Sequence, residues 1–180
     1  MKKIIYYVAS SLDGYISGVD DDVTGFKFTG KAIDKYLNDL QSFQTVIMGR
    51  NTYEFGYKFG AKPGAPSPTY AHMQHYIFSN NLTFDNKSDQ VEVKKLIPEV
   101  IDKIKTVSET DIYLCGGGKL AGWLLENKKI DVIKLKVNPL ILNRGTKLFE
   151  GIDTSYQLDL LESKSYADGI QLLTYKINYD

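Results

Sequence analysis

The sequence predicts an α/β fold with a mixed central sheet, and three observations carry that prediction. Short runs of apolar, β-branched and aromatic residues recur through the first two thirds of the chain, the composition of strands buried on both faces. Segments with helically spaced apolar residues stand between them, the alternation of a largely parallel sheet. The last stretch instead reads as two antiparallel strands. At 180 residues the chain is read as a single domain over 1–180. A chain of this length buries roughly 70% of its extended surface, so its core needs no covalent staples.

Ile4–Ala9 is the first strand, closed by a turn over Ser10–Gly14, and 17–30 is a Gly- and Asp-rich loop. Lys31–Phe43 places Ile33, Tyr36, Leu37, Leu40 and Phe43 at helical spacing. Thr45–Met48 is a second buried strand. A short helix over Asn51–Gly56 starts near Arg50, and 57–71 is a loop broken by glycines and prolines. His75–Ser79 and Val91–Val93 are strands, and Pro98 opens a helix running to Val107. Asp111–Cys115 is a strand, Gly116–Gly118 a turn and Lys119–Asn127 a helix. Asp131–Asn138 stops before Pro139, and Gln157–Ser163 and Ile170–Tyr179 end the chain as strands.

Charge and composition narrow the function. Lys plus Arg and Asp plus Glu number 22 each, so there is no basic excess of the kind that holds nucleic acid. One cysteine, Cys115, excludes an internal disulfide and a multi-cysteine metal site. His72 and His75 have no carboxylate or thiol nearby in sequence, so no metal site is expected. No apolar run approaches the length of a membrane span, so no membrane contact is expected. The basic N-terminus precedes an apolar run too short for a signal peptide and is read as the first strand of a cytoplasmic protein. Only two cations are arginines, Arg50 and Arg144, and both lie beside glycine. A guanidinium fork on such a backbone is either an anion site or a surface ion pair.

The strongest single motif is the strand Asp111–Cys115 running through Gly116-Gly117-Gly118 into an amphipathic helix. Such a junction frees peptide N–H groups at a helix start, where the dipole favours an anion, with no Cβ in the way. The spacing matches neither a GxGxxG fingerprint nor a Walker loop. The alternative is a tight turn with packing glycines.

Together with Val8–Ile16, Val46–Glu54 and Ile77-Phe78-Ser79, this motif resembles the dihydrofolate reductase-like superfamily. Lys134–Gly151 resembles its riboflavin-biosynthesis reductase branch. The resemblance implies a three-layer fold, with a mostly parallel mixed sheet, flanking helices and a C-terminal antiparallel pair. It also implies NADPH as cofactor and a small-molecule substrate, a planar pyrimidine or pterin. By position, Ala9 would offer backbone groups to the nicotinamide amide, and Ile16 would line the nicotinamide site. Gly49, Arg50 and Thr52 would meet the phosphates, Arg50 pairing with the 2′-phosphate. Ser79 and Asn80 would support the adenosine ribose phosphate. Gly116, Gly117, Gly118, Lys119 and Leu120 would cradle the pyrophosphate, and relatives often join the first two glycines by a cis peptide.

The catalytic carboxylate of dihydrofolate reductases falls near Ile33, which makes Asp34 the candidate proton donor and Asp39 the next. The Lys and Glu usual in the riboflavin-pathway reductases are replaced by Tyr7 and Cys115. Three readings therefore stand: a reductase resembling the 5-amino-6-(5-phosphoribosylamino)uracil reductase, a dihydrofolate reductase, or a non-catalytic NADP-binding protein. Asp13 is expected to hold a turn. Tyr53, Phe55, Tyr57 and Phe59 either line a substrate slot or pack, and Trp123 packs its helix on the sheet or on a partner chain. A homodimer is expected, paired through Leu172–Tyr175.

Overall fold

The computed structural model describes residues 1–179. In chain order the elements are β1 (Ile4–Ser10), β2 (Tyr15–Ser17), α1 (Lys31–Leu40), β3 (Thr45–Gly49) and α2 (Arg50–Phe55). There follow β4 (Gln74–Phe78), β5 (Val91–Lys94), α3 (Pro98–Val107), β6 (Ile112–Gly116) and α4 (Gly118–Glu126). The chain ends with β7 (Val132–Val137), β8 (Thr146–Lys147), β9 (Gln157–Ser165) and β10 (Gln171–Asn178).

Eight strands form one sheet in the order β5-β4-β3-β6-β1-β7-β10-β9. The pairs from β5 to β7 are parallel, and β10 runs antiparallel to both β7 and β9. This is the predicted mixed, mostly parallel sheet with an antiparallel C-terminal pair. β2 and β8 make a separate two-stranded ribbon outside the predicted strands. Two or three residues carry too little pattern to register as a strand.

Alternation along each strand divides the core in two. Ile4, Tyr6, Ile47, Leu114 and Ile133 face α3 and α4, where Ile101, Ile104, Leu120 and Leu124 cover them. Tyr7, Val46, Met48, Tyr113 and Leu172 face the other way and meet Leu40 of α1 with Phe43 and Tyr70. α1 ends at Leu40, earlier than predicted, because Gln41, Ser42 and Phe43 turn back onto the carbonyls of Asn38, Asp39 and Leu40. Phe43 stays buried, so its apolar character was read correctly and its backbone was not.

β10 is paired along both edges, so Leu172–Tyr175 is not open to another chain, contrary to expectation. The edge strands are β5 and β9, and β9 is exposed along its length, carrying Leu158, Leu160 and Leu161. Asp13 holds a turn, as expected: it accepts hydrogen bonds from Ser11 Oγ (2.6 Å) and from the N–H groups of Leu142 (3.1 Å) and Asn143 (2.7 Å). The Ser11 bond and those peptide bonds lower its carboxyl to about 2. Among the described residues no helix is long and apolar enough to cross a membrane.

Candidate active site

The carboxyl ends of the parallel strands open onto a cleft of about 830 Å³. That is within the usual size of small-molecule sites and in the usual place for an open α/β sheet. Its first wall is the β6–α4 junction. Gly116 has φ +132°, a conformation for which only glycine is suited, and the Gly116–Gly117 peptide is cis. No side chain caps α4. Its first turn begins with Ala121 N–H donating to Gly117 O at 2.9 Å. The N–H groups of Gly118, Lys119 and Leu120 have no acceptor among the described residues. Gly118 packs so closely on the 147–150 segment that a Cβ there would lie 2.2 Å from Lys147 O.

A second part of the lining comes from the end of the neighbouring strand β3. Gly49, Arg50 and Thr52 line the cleft, with Ser79 and Asn80 beside them. Arg50 donates from Nε to Glu54 Oε1 at 2.8 Å and from Nη1 to Asn81 Oδ1 at 3.1 Å. Three of the five guanidinium N–H groups remain, enough for a phosphate oxygen pair. Ser79 Oγ already accepts from the N–H groups of Asn81 and Leu82, so it builds the turn as well as facing the cleft. Ile16, Phe55 and Trp123 supply apolar surface. Free peptide donors, a guanidinium and apolar surface lining one cleft fit a dinucleotide such as NADPH.

Of the residues singled out from sequence, Ile16, Gly49, Arg50, Thr52, Ser79, Asn80, Gly116, Gly117, Gly118, Lys119 and Leu120 all line this cleft. Ala9 is not among the lining residues, whereas its neighbour Val8 is; the Ala9 side chain turns to the α1 side of the sheet, which does not bear on the backbone role the resemblance implies. Asp34 is exposed on α1 and lines neither cavity. The helix turns its Ala32, Tyr36 and Leu40 face to the sheet, so the carboxylate it brings there is Asp39, not Asp34. Tyr53 packs rather than lining a slot, donating from its hydroxyl to Ala65 O at 2.7 Å, whereas Phe55 reaches the cleft. Trp123 was expected against the sheet or a partner, and it also lines the cleft.

The α1 side of the sheet brings Cys115, Tyr7 and Asp39 together with residues no sequence pattern singled out for a site, Tyr36, Tyr70, Tyr113 and Lys134. Cys115 lines the cleft, and its Sγ is 3.4 Å from Tyr70 Oη. Tyr113 Oη and Tyr36 Oη are 2.6 Å apart. Burial pushes the Tyr36, Tyr70 and Tyr113 hydroxyls well above their ordinary range, so all three stay protonated. Beneath Tyr70, stacked on it at 5.5 Å, lies buried His75. Burial lowers His75 to about 4, so its ring is neutral. It accepts from Ser67 N–H through Nε2 and donates from Nδ1 to Met73 O. Lys134 pairs with Asp39 at 2.6 Å, and Tyr7 donates to the same carboxylate at 3.2 Å. Burial alone would push Asp39 up, but Lys134 and Lys35 hold it below the usual carboxylate range. Lys134 is half-buried, and Lys136, two residues on, is buried. The available signal was the alternation Lys134-Leu135-Lys136 inside a central strand, which puts two cations on one face of the sheet.

An eight-stranded sheet of this order, with a cleft at its carboxyl ends and a glycine-built helix start, defines a dihydrofolate reductase-like α/β protein. The chain belongs to the RibD C-terminal domain family, whose model matches residues 2–172. It is 26% identical over 172 residues to YwjB, an uncharacterized protein of Bacillus subtilis (strain 168), covering 95% of this chain and 96% of that protein. Its fold is similar to that of a protein from Shewanella sp. PV-4 provisionally named for riboflavin biosynthesis. There the TM-score is 0.82 at 21% identity, covering 99% of this chain and 100% of that one. It is also similar in fold to dihydrofolate reductase from Enterococcus faecalis complexed with NADP(H). In that case the TM-score is 0.67 at 17% identity, covering 98% and 97% of the two chains.

Proposed function

We propose that the protein is an NADPH-dependent reductase of a small planar N-heterocycle, of the riboflavin-pathway type. The observation that carries the reading is the set of unbonded N–H groups of Gly118, Lys119 and Leu120, residues that line the same cleft as Arg50. The peptide donors would hold the pyrophosphate, and the free Arg50 donors the 2′-phosphate. Bound there, the cofactor supplies the hydride. Ile16 and Val8 give the apolar surface that orients a ring and excludes water, and orientation supplies much of the rate. True dihydrofolate reduction is the weaker alternative, because Asp34 stands in solvent and Asp39 is committed to Lys134. The same missing carboxylate motivates a rival, a protein that binds NADP without chemistry.

Calorimetric titration with NADPH and NADH at fixed salt tests the reading. Micromolar NADPH binding with much weaker NADH binding is the expected result, and binding of neither overturns it. Loss of NADPH absorbance that depends on an added heterocycle separates reductase from binder. The homodimer belongs to this proposal, paired through the open edge of β9, and light scattering at the mass of one chain would remove it.

A further inference from the structure

The charged side chains that line the cleft are Arg50, Lys119, Asp21 and Glu150, and their formal charges cancel. Both cations stand where the cofactor reading needs them, Lys119 in the first turn of α4 and Arg50 at the start of α2. Arg50 is already partly neutralised by Glu54, 2.8 Å from its Nε. A phosphate monoester carries about 1.5 to 2 negative charges at pH 7. The 2′-phosphate of NADPH therefore uses up about what these two cations supply. The start of α4 adds only roughly half a charge towards the pyrophosphate.

The carboxylates are unspent. Neither Asp21 nor Glu150 accepts a hydrogen bond or pairs with a cation among the described residues. Glu150 is tied to α4 by its backbone: its N–H donates to Gly118 O at 3.0 Å, and its carbonyl leaves no room for a Cβ on Gly122. Asp21 belongs to the 16–23 segment, which also lines the cleft through Ile16, Ser17 and Val23, at the end read as the nicotinamide site. The basic residues of β7 and β8 bring no relief. Lys134 is spent on Asp39, and Lys136, Arg144 and Lys147 do not line the cleft. With a dinucleotide in place, a further phosphate would meet two carboxylates and the cofactor's own phosphates. In a partly desolvated cleft such like charges repel more strongly than in water.

We propose that the heterocycle this cleft accepts beside its cofactor carries no phosphate: Asp21 and Glu150 make the loaded site selective for an uncharged base or nucleoside over the phosphorylated form. The inference rests on the cofactor reading above and adds the class of substrate. It sets the chain apart from a reductase of a phosphoribosylamino pyrimidine, such as the one it resembles. Asp21 and Glu150 are here specificity-determining residues.

Uridine and uridine 5′-monophosphate test it, since they share ring and sugar and differ by the phosphate. Each is titrated calorimetrically, at pH 7 and fixed salt, into protein saturated with NADPH. Uridine is expected to bind about tenfold more tightly than its monophosphate. The double variant Asp21→Asn, Glu150→Gln should bring that ratio close to one. Asp21→Asn alone, on an exposed loop, should lower it part of the way and decides the matter if circular dichroism shows the double variant unfolded. Equal or tighter binding of the monophosphate to wild type, no binding of uridine, or an unchanged ratio in the folded variants overturns the proposal. Absence of NADPH binding in the same calorimeter removes the cofactor reading and this inference with it, whereas NADPH binding with a tighter monophosphate removes this inference alone.

Discussion

At the start of α4 the cleft presents peptide N–H groups and no side chain larger than hydrogen on three successive residues. On the α1 side of β6 the same cleft is floored by Cys115, with Tyr36, Tyr70 and Tyr113 behind it and Lys136 buried among them. The first wall works by the absence of volume and holds no titrating group at its centre. The second is all volume, and its order depends on which groups carry protons. The comparison teaches that the two walls fail in different ways: the glycine wall through added atoms, the tyrosine wall through added protons.

The largest effect should come from adding one methyl group behind the glycine wall. A Cβ on Gly122 would lie 1.9 Å from Glu150 O, a backbone atom that cannot swing aside. Gly122→Ala should cost at least about 3 kcal/mol, read as a drop in the urea midpoint. A midpoint unchanged from wild type would show that the 147–150 segment yields, and the contrast between walls would weaken.

Protons should break the other wall. His75 is neutral and buried under Tyr70, with its pKa lowered to about 4 from 6.5. Between those values the unfolded chain binds the proton and the folded one does not. Stability is therefore complete above pH 6.5 and falls as pH drops towards 4, by up to about 3 kcal/mol. His75→Gln should flatten that part of the wild-type stability profile, and parallel profiles would acquit His75.

Lys136 sharpens the comparison from the opposite direction. Its pKa is depressed to about 8 from 10.5, so the folded protein bears a desolvation penalty wherever the group is charged. Lys136→Met should stabilise the protein at pH 7 by on the order of 2–3 kcal/mol. The advantage should shrink as pH rises from 8 and vanish above 10.5, since both states are then neutral. A variant less stable than wild type at pH 7 would mean that the Tyr36 contact outweighs the lost hydration.

The smallest expected effect lies at Arg50. Arg50→Lys removes the fork but keeps the charge, and should weaken NADPH about tenfold more than NADH, because only NADPH carries the 2′-phosphate. Equal effects on the two would take Arg50 out of that role.

The legibility of the molecule follows the same division. Every long strand and helix was readable, because buried parallel strands and amphipathic helices write strong periodic patterns. The glycine wall was readable because its residues are contiguous and rare. Asp34 was misplaced because the sequence did not fix the phase of α1 against the sheet, and a helix turns a carboxylate from core to solvent in one residue. The tyrosine wall stayed hidden because Tyr36, Tyr70, Tyr113 and Lys136 arrive from four separate segments, and no linear spacing announces that meeting.

β6 and β7 each show one face to one core and the opposite face to the other, alternating residue by residue. Tyr113, Cys115, Lys134 and Lys136 are every second position, and the residues between them pack under the helix that carries the cradle. A designer could therefore randomise those four positions as a library without rewriting the side of the sheet that supports the glycine wall. The fold behaves as a tool with a fixed handle and an exchangeable bit, and the boundary between the two runs lengthwise through single strands.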